Sequence, residues 1–161
     1  MASDPESAVP AEPAERVRAI LERVVDALDL EADVQVDEDA EQIVGRVDGE
    51  EVGLLIGRRG PTIDAVQLLC YRAAFRGLQE RKRVVVDASG YRERRQEAIE
   101  RQADRAADRA FKTDKEIELE PMTPSERRVV HQYLKDRAGV ETFSEGEEPE
   151  RCVIVAPLLS D

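Results

Sequence analysis

The chain has 161 residues, with 24 Lys and Arg against 36 Asp and Glu, one His, two Cys, no Trp and 41% hydrophobic residues, for a formal net charge of −12. This length and apolar fraction support one ordinary domain or two small ones with packed cores, and exclude collagen-like, disulfide-rich and membrane-spanning classes. A net charge so negative also argues against indiscriminate coating of nucleic acid.

Residues 1–12 are rich in Ala, Pro, Glu and Ser without apolar periodicity, which predicts a disordered tail. From Pro13, the positions Val17, Ile20, Leu21, Val24, Val25 and Leu28 recur at the spacing of an amphipathic helix that ends near Asp29. Val34 and Val36 alternate with polar residues, and Ile43 to Val47 forms a second short run closed by Asp48-Gly49, so a β-hairpin follows the helix. Glu50 to Ile56 reads as a helical turn leading into Gly57-Arg58-Arg59-Gly60. Pro61 then suits the first position of a helix, where its missing N–H has no intrahelical partner to lose. That helix, with Val66, Leu69 and Ala73 on an apolar face, stops near Gly77, and Val84 to Val86 is a β-branched run bounded by Ser89-Gly90. The order over 13–90 is α-β-β-α-α-β.

Residues 91–113 form a long charged helix whose apolar stripe is mostly alanine: Ala98, Ile99, Ala103, Ala106 and Ala110 with Phe111. So thin a stripe predicts weak packing and a connector between two modules. Its Arg101, Arg105 and Arg109 read as a solubilising face. Residues 114–161 begin with a short strand at Ile117 to Leu119. Thr123-Pro124-Ser125-Glu126 is a capping box that starts a helix carrying Val129, Val130, Tyr133 and Leu134. Val140 to Phe143 and Cys152 to Ala156 follow as strands joined by an acidic loop. The fold class is therefore α+β, in two modules.

Net charge is unevenly spread along these elements. Residues 1–56 hold 4 basic and 16 acidic side chains, residues 57–112 hold 14 and 8, and residues 113–161 hold 6 and 12. The middle segment is a basic island of +6, and it contains Gly57-Arg58-Arg59-Gly60. Two glycines let the backbone turn sharply and let a polymer approach the main chain, while two arginines and the next helix's N-terminus offer charge and N–H groups to phosphates. The same tetrapeptide also suits an ordinary corner between helices.

Gly53, Gly57 and Gly60 are only superficially like a nucleotide-binding loop, since Pro61-Thr62 stands where a P-loop carries Lys-Ser/Thr. Nor does the chain hold a nucleophile-elbow motif that would pair with its one histidine, so no enzyme is expected. Cys70 and Cys152 without a CxxC pair predict buried thiols, and no metal or cofactor. Arg127 and His131 lie one helical turn apart with Lys135 a turn further, which places them on one face; on spacing alone this is first an exposed polar face, and otherwise a face toward phosphates.

The loop Gly57 to Gly60 between two helices, after a hairpin and before a β-branched strand, resembles the KH domain, whose GXXG loop clamps the backbone of about four single-stranded nucleotides. The element order is similar to the type II arrangement. Pro121 to Arg127, the Arg127/His131 pair and Ser144-x-Gly146-x-Glu148-Pro149-x-Arg151 resemble the Arg-xxx-His domain. With GYRERRQE at Gly90 to Glu97 between them, the chain resembles the Jag family of bacterial RNA-binding proteins over roughly residues 14–159, without the extra N-terminal domain many members carry.

The resemblance implies a type II KH domain over 13–90, a connector helix over 91–113 and an Arg-xxx-His domain over 114–161. It implies that Gly57, Arg58, Arg59 and Gly60 contact the RNA backbone, that Ile43, Val47, Leu55 and Ile56 line a base groove, and that Arg127, His131 and Lys135 contact a second stretch of strand. It further implies a cytoplasmic binder of single-stranded RNA that acts as an RNA chaperone or post-transcriptional regulator affecting cell-envelope growth, with a small single-KH protein as partner and no membrane insertion. The start, which lacks the basic region and apolar core of a signal peptide, agrees with that location. A protein-interaction scaffold and a single-stranded DNA binder are the alternatives.

Overall fold

The structure is a computed structural model describing residues 11–158. It comprises two compact units, one ending at Arg92 and one starting at Glu93. The tail expected over 1–12 lies outside the described residues except for Ala11 and Glu12, and Glu12 is the N-cap residue of the first helix.

In the first unit, α1 (Pro13–Ala27) is followed by β1 (Ala32–Glu38), β2 (Gln42–Gly49), α2 (Gly53–Ile56), α3 (Pro61–Ala74) and β3 (Arg83–Ala88). The sheet order is β1-β2-β3. β1 and β2 are antiparallel with Val34 opposite Val47, and β2 and β3 are parallel with Ile43 opposite Val84. Strand side chains alternate between faces, so Ile43 and Val47 share one face with Val84, Val86 and Ala88. Val17 and Leu21 of α1 and Ile63, Val66 and Cys70 of α3 belong to the same core.

Gly45 belongs to this fit, because a Cβ there would stand 2.5 Å from Leu21 Cδ1. Arg16 ties α1 to the end of α3. Its guanidinium donates to the carbonyls of Ala73, Ala74 and Arg76 at 3.4, 3.2 and 3.0 Å, adding a donor where the helix terminus leaves carbonyls short of partners.

In the second unit, α4 (Tyr91–Thr113) precedes β4 (Ile117–Glu118), α5 (Pro124–Leu134), β5 (Val140–Glu145) and β6 (Cys152–Pro157), with the antiparallel order β4-β6-β5. The capping box at Thr123 is present: Glu126 N–H donates to the Thr123 hydroxyl, and the Glu126 carboxylate accepts from Thr123 N–H.

One expectation is corrected here. The helix over 91–113 is no lightly packed connector: Ile99, Ala103, Ala106, Ala107 and Ala110 are buried in one cluster with Val130, Leu134, Val153 and Val155. Alanines narrow the gap between packed elements rather than weaken the contact, since interaxial distance follows the side chains at the crossing. Only the helix's first two residues fall in the first unit. Arg95 also binds Glu126 at 2.6 Å, linking α4 to the start of α5. Cys70 and Cys152 are buried free thiols, and burial pushes the Cys70 thiol up to about 12.

If α4 is core, Ala106→Glu will bury an unpaired carboxylate and cost on the order of 3 kcal/mol or more. The expected outcome is loss of the second unit's dispersed amide signals in NMR while those of β2 and α3 persist. A helix serving only as a connector would tolerate the change.

Candidate nucleic-acid interface

The turn from α2 to α3 is built by backbone geometry that few residues permit. Gly57 has φ 73° and ψ 176°, Arg59 φ 70°, and Gly60 φ 97° and ψ 2°. A Cβ on Gly57 would lie 2.3 Å from Thr62 Oγ1, and one on Gly60 would lie 3.0 Å from the Tyr91 phenol oxygen. Gly57 therefore needs glycine for space as well as for conformation, and Gly60 needs it for its positive φ, with a close fit against Tyr91. Arg59 holds a left-handed backbone that costs a non-glycine residue about 1–2 kcal/mol, a feature with no signal in the sequence.

Arg58 and Arg59 are exposed at the N-terminus of α3, where the helix dipole and open N–H groups favour an anion. Asp64 in the first turn opposes that field. Arg92 offsets it by donating to Asp64 Oδ1 at 3.0 Å, and the same side chain reaches Gln67 Oε1 at 3.0 Å and the Val86 carbonyl at 2.7 Å.

The four groove candidates differ in burial. Ile43, Val47 and Leu55 are fully buried, because the β1-β2-β3 register turns the first two toward α1 and α3 and α2 turns Leu55 inward. Ile56 is half-buried. Leu54, one position from Leu55 and so about 100° around the helix, is 63% exposed and is the apolar side chain α2 offers next to the loop.

The second unit differs in kind. Arg127 and His131 do lie together, but each is already engaged. Arg127 is only 8% exposed, and donates to the Met122 carbonyl at 2.7 Å and to Glu148 Oε1 at 2.6 Å. His131 Nδ1 is 2.7 Å from Thr142 Oγ1, and Nε2 is 2.8 Å from Ser144 Oγ, so both ring nitrogens are bonded to β5 hydroxyls. Arg151 braces the following loop through the carbonyls of Gly146 and Ser144 at 3.0 and 3.4 Å. Lys135 is exposed at the C-cap of α5, and Arg128, seven residues earlier and on the same side of the helix, is exposed too.

Among the described residues, no cluster of three or more His, Cys, Asp or Glu is placed to hold a metal, and no helix is long and apolar enough to cross a membrane.

An α-β-β-α-α-β unit whose α2–α3 turn is GXXG, followed by an α+β unit with Arg and His one turn apart on its helix, defines a protein that joins a KH domain to an Arg-xxx-His domain. Comparison with known proteins agrees: residues 14–87 match the family described as KhpA/KhpB, KH domain, and residues 97–157 match the Arg-xxx-His domain family. The chain is 35% identical over 147 residues to the RNA-binding protein KhpB of Bacillus subtilis, covering 90% of this chain and 71% of that protein. It is 38% identical over 138 residues to that of Clostridium symbiosum (84% and 62%), and 30% identical over 142 residues to that of Streptococcus pneumoniae D39 (88% and 43%). The chain thus spans from under half to under three quarters of these relatives' lengths. It belongs to the KhpB family.

Burial, and next the Arg127 guanidinium, hold the His131 imidazole below its ordinary value of 6.5. Between the lowered folded value and the unfolded one, the unfolded chain binds more protons, so stability rises with pH there. The second unit is therefore expected to melt at a lower temperature at about pH 5.5 than at about pH 7.5, on either side of the ordinary imidazole value. His131→Gln should show a smaller difference between the two. An equal pH dependence in the variant would refute the assignment.

Proposed function

We propose that this protein binds single-stranded RNA by clamping its backbone at Gly57 to Gly60, with Arg58 and Arg59 meeting phosphates and the two glycines admitting the strand to the main chain. The observation that carries this reading is the loop itself: two glycines at positive φ, one with no room for a side chain and one closely packed against Tyr91, flanking two exposed arginines at a helix N-terminus whose first-turn carboxylate is neutralised by Arg92. Leu54 and Ile56 supply apolar surface beside the clamp for bases. RNA rather than DNA is favoured by the relatives, which are named as RNA-binding proteins, and single-stranded DNA of the same sequence is the control.

A second, weaker contact is assigned to the Arg127, His131 and Lys135 side of α5, with Arg128 added by its exposure. Two such contacts on one chain raise avidity when one strand engages both. The role is binding without catalysis, in the cytoplasm. Regulation or chaperoning of RNA, with consequences for cell-envelope growth, rests on the family resemblance alone. Pairing with a small single-KH protein has one support in the fold: Leu68 and Leu69 of α3 are each more than half exposed, and apolar surface of that kind marks interaction sites.

Arg58→Asp with Arg59→Asp should leave the fold intact and weaken RNA binding by about tenfold or more. It should also flatten the salt dependence by about 0.7 in log-log slope for each phosphate no longer neutralised. A direct titration showing unchanged affinity would remove the clamp.

For the second contact, Arg128→Glu with Lys135→Glu probes α5 without touching the buried pair. Affinity for a long oligonucleotide should fall while that for a strand of about four nucleotides, the span of a GXXG clamp, stays the same. Equal losses at both lengths would count against a bipartite footprint.

A further inference from the structure

We propose that Glu148 is an internal stand-in for phosphate: its carboxylate occupies the guanidinium of Arg127 in the free protein, and an RNA phosphate must displace it before the second unit can grip a strand. This deepens the function proposed above and rests on it.

The geometry that points to this is the division of Arg127 into an inner and an outer half. Its Nη1 donates to the Met122 carbonyl at 2.7 Å, an anchor within the unit, while Nη2 donates to Glu148 Oε1 at 2.6 Å. The guanidinium side of this pair is 10% exposed and the carboxylate side 52%. The acid is therefore the half that faces water, and the cation is the half that needs a partner. Carboxylate and phosphate present the same pair of charged oxygens to a guanidinium.

Exchange between them leaves Arg127 paired throughout, which avoids the cost of a buried bare charge. Glu148, already half in water, loses little by departing. It also sits in the segment between β5 and β6, the loop that carries Gly146 at φ 90°, so its withdrawal need not disturb the sheet. Arg151 fixes the start of that loop through Gly146 and Ser144, which confines the movement to the residues around Glu148.

The consequence is selectivity by competition. A free anion or a short oligonucleotide must outcompete a carboxylate that is always present at the site. A strand already held by the first unit arrives at high effective concentration and displaces it.

The test compares Glu148→Gln with Glu147→Gln in the full chain, titrating a long uridine oligonucleotide and a four-nucleotide strand, with thermal melts to confirm folding. Both variants remove one negative charge from the same loop, but only Glu148 is paired with Arg127. The expected result is roughly five- to tenfold tighter binding of the long strand by Glu148→Gln, a change of about 1–1.4 kcal/mol. Its log-log salt slope should stay close to that of the wild type, because Arg127 meets one phosphate in both proteins, and Glu147→Gln should show little change.

Equal gains in both variants would mean that loop charge alone is responsible, and would overturn the proposal. So would unchanged or weaker binding by a folded Glu148→Gln. A Glu148→Gln chain that fails to fold would make Glu148 a brace and overturn it as well. Failure of the underlying function looks different: the wild-type chain would bind no RNA, or would bind it independently of Arg58 and Arg59.

Discussion

The first unit's candidate site depends on a steric constraint, the absence of side chains at two points of a four-residue turn. Gly57 lies against Thr62 and Gly60 against Tyr91, with so little room that a methyl group would collide at one and press at the other. The left-handed backbone at Gly57, Arg59 and Gly60 follows from reversing direction between α2 and α3 within that space. With the turn held this way, the backbone itself sets Arg58 and Arg59 at the start of α3. The strain at Arg59 is tolerated because helices with buried apolar faces hold both ends of the loop.

The two units handle positive charge in opposite ways. In the first, the acidic residue in the opening turn of α3 is paired with Arg92, so the field of the loop is left positive. In the second, Arg127 is buried and its charge is met by a carbonyl and a carboxylate, while burial and then Arg127 hold the His131 imidazole below its ordinary value. A net charge of −12 is thus compatible with a proposed polyanion ligand, because the sum of charges says little about where a field is aimed. The basic island at 57–112 is where the outward-facing loop lies, and the C-terminal segment of −6 is where the cation is internally compensated.

Much of the fold was legible because its signals are local. Proline at the starts of α1, α3 and α5, the capping box at Thr123, and the β-branched runs of β2 and β3 each announce an element by chemistry acting within a few residues. What was not legible depends on partners distant in sequence. The alanines of α4 look like a weak stripe until Val153 and Val155 are brought against them. The full burial of Ile43 and Val47 depends on the sheet they share with β3, and the rotation of a single short helix decides that Leu54 rather than Leu55 is exposed. The spacing of Arg127 and His131 correctly placed them on one helix face. It carried no information on whether that face looks at water or at β5.

That last distinction bears on the second contact proposed for the Arg-xxx-His pair. An arginine exposed on a helix would attract any anion at little cost and discriminate among them weakly, since surface pairs contribute at most about 1 kcal/mol. In the proposed exchange, a ligand of Arg127 must first replace an existing charged partner and must do so beside His131, whose ring nitrogens hold the hydroxyls of Thr142 and Ser144. Replacement of one acid by another conserves the number of pairs, so the net affinity of the second site is the small difference between two similar interactions. A small difference becomes decisive only when the strand's local concentration is raised by attachment elsewhere on the same chain. The outward-facing loop of the first unit is suited to make that attachment, and the compensated site of the second is suited to follow it.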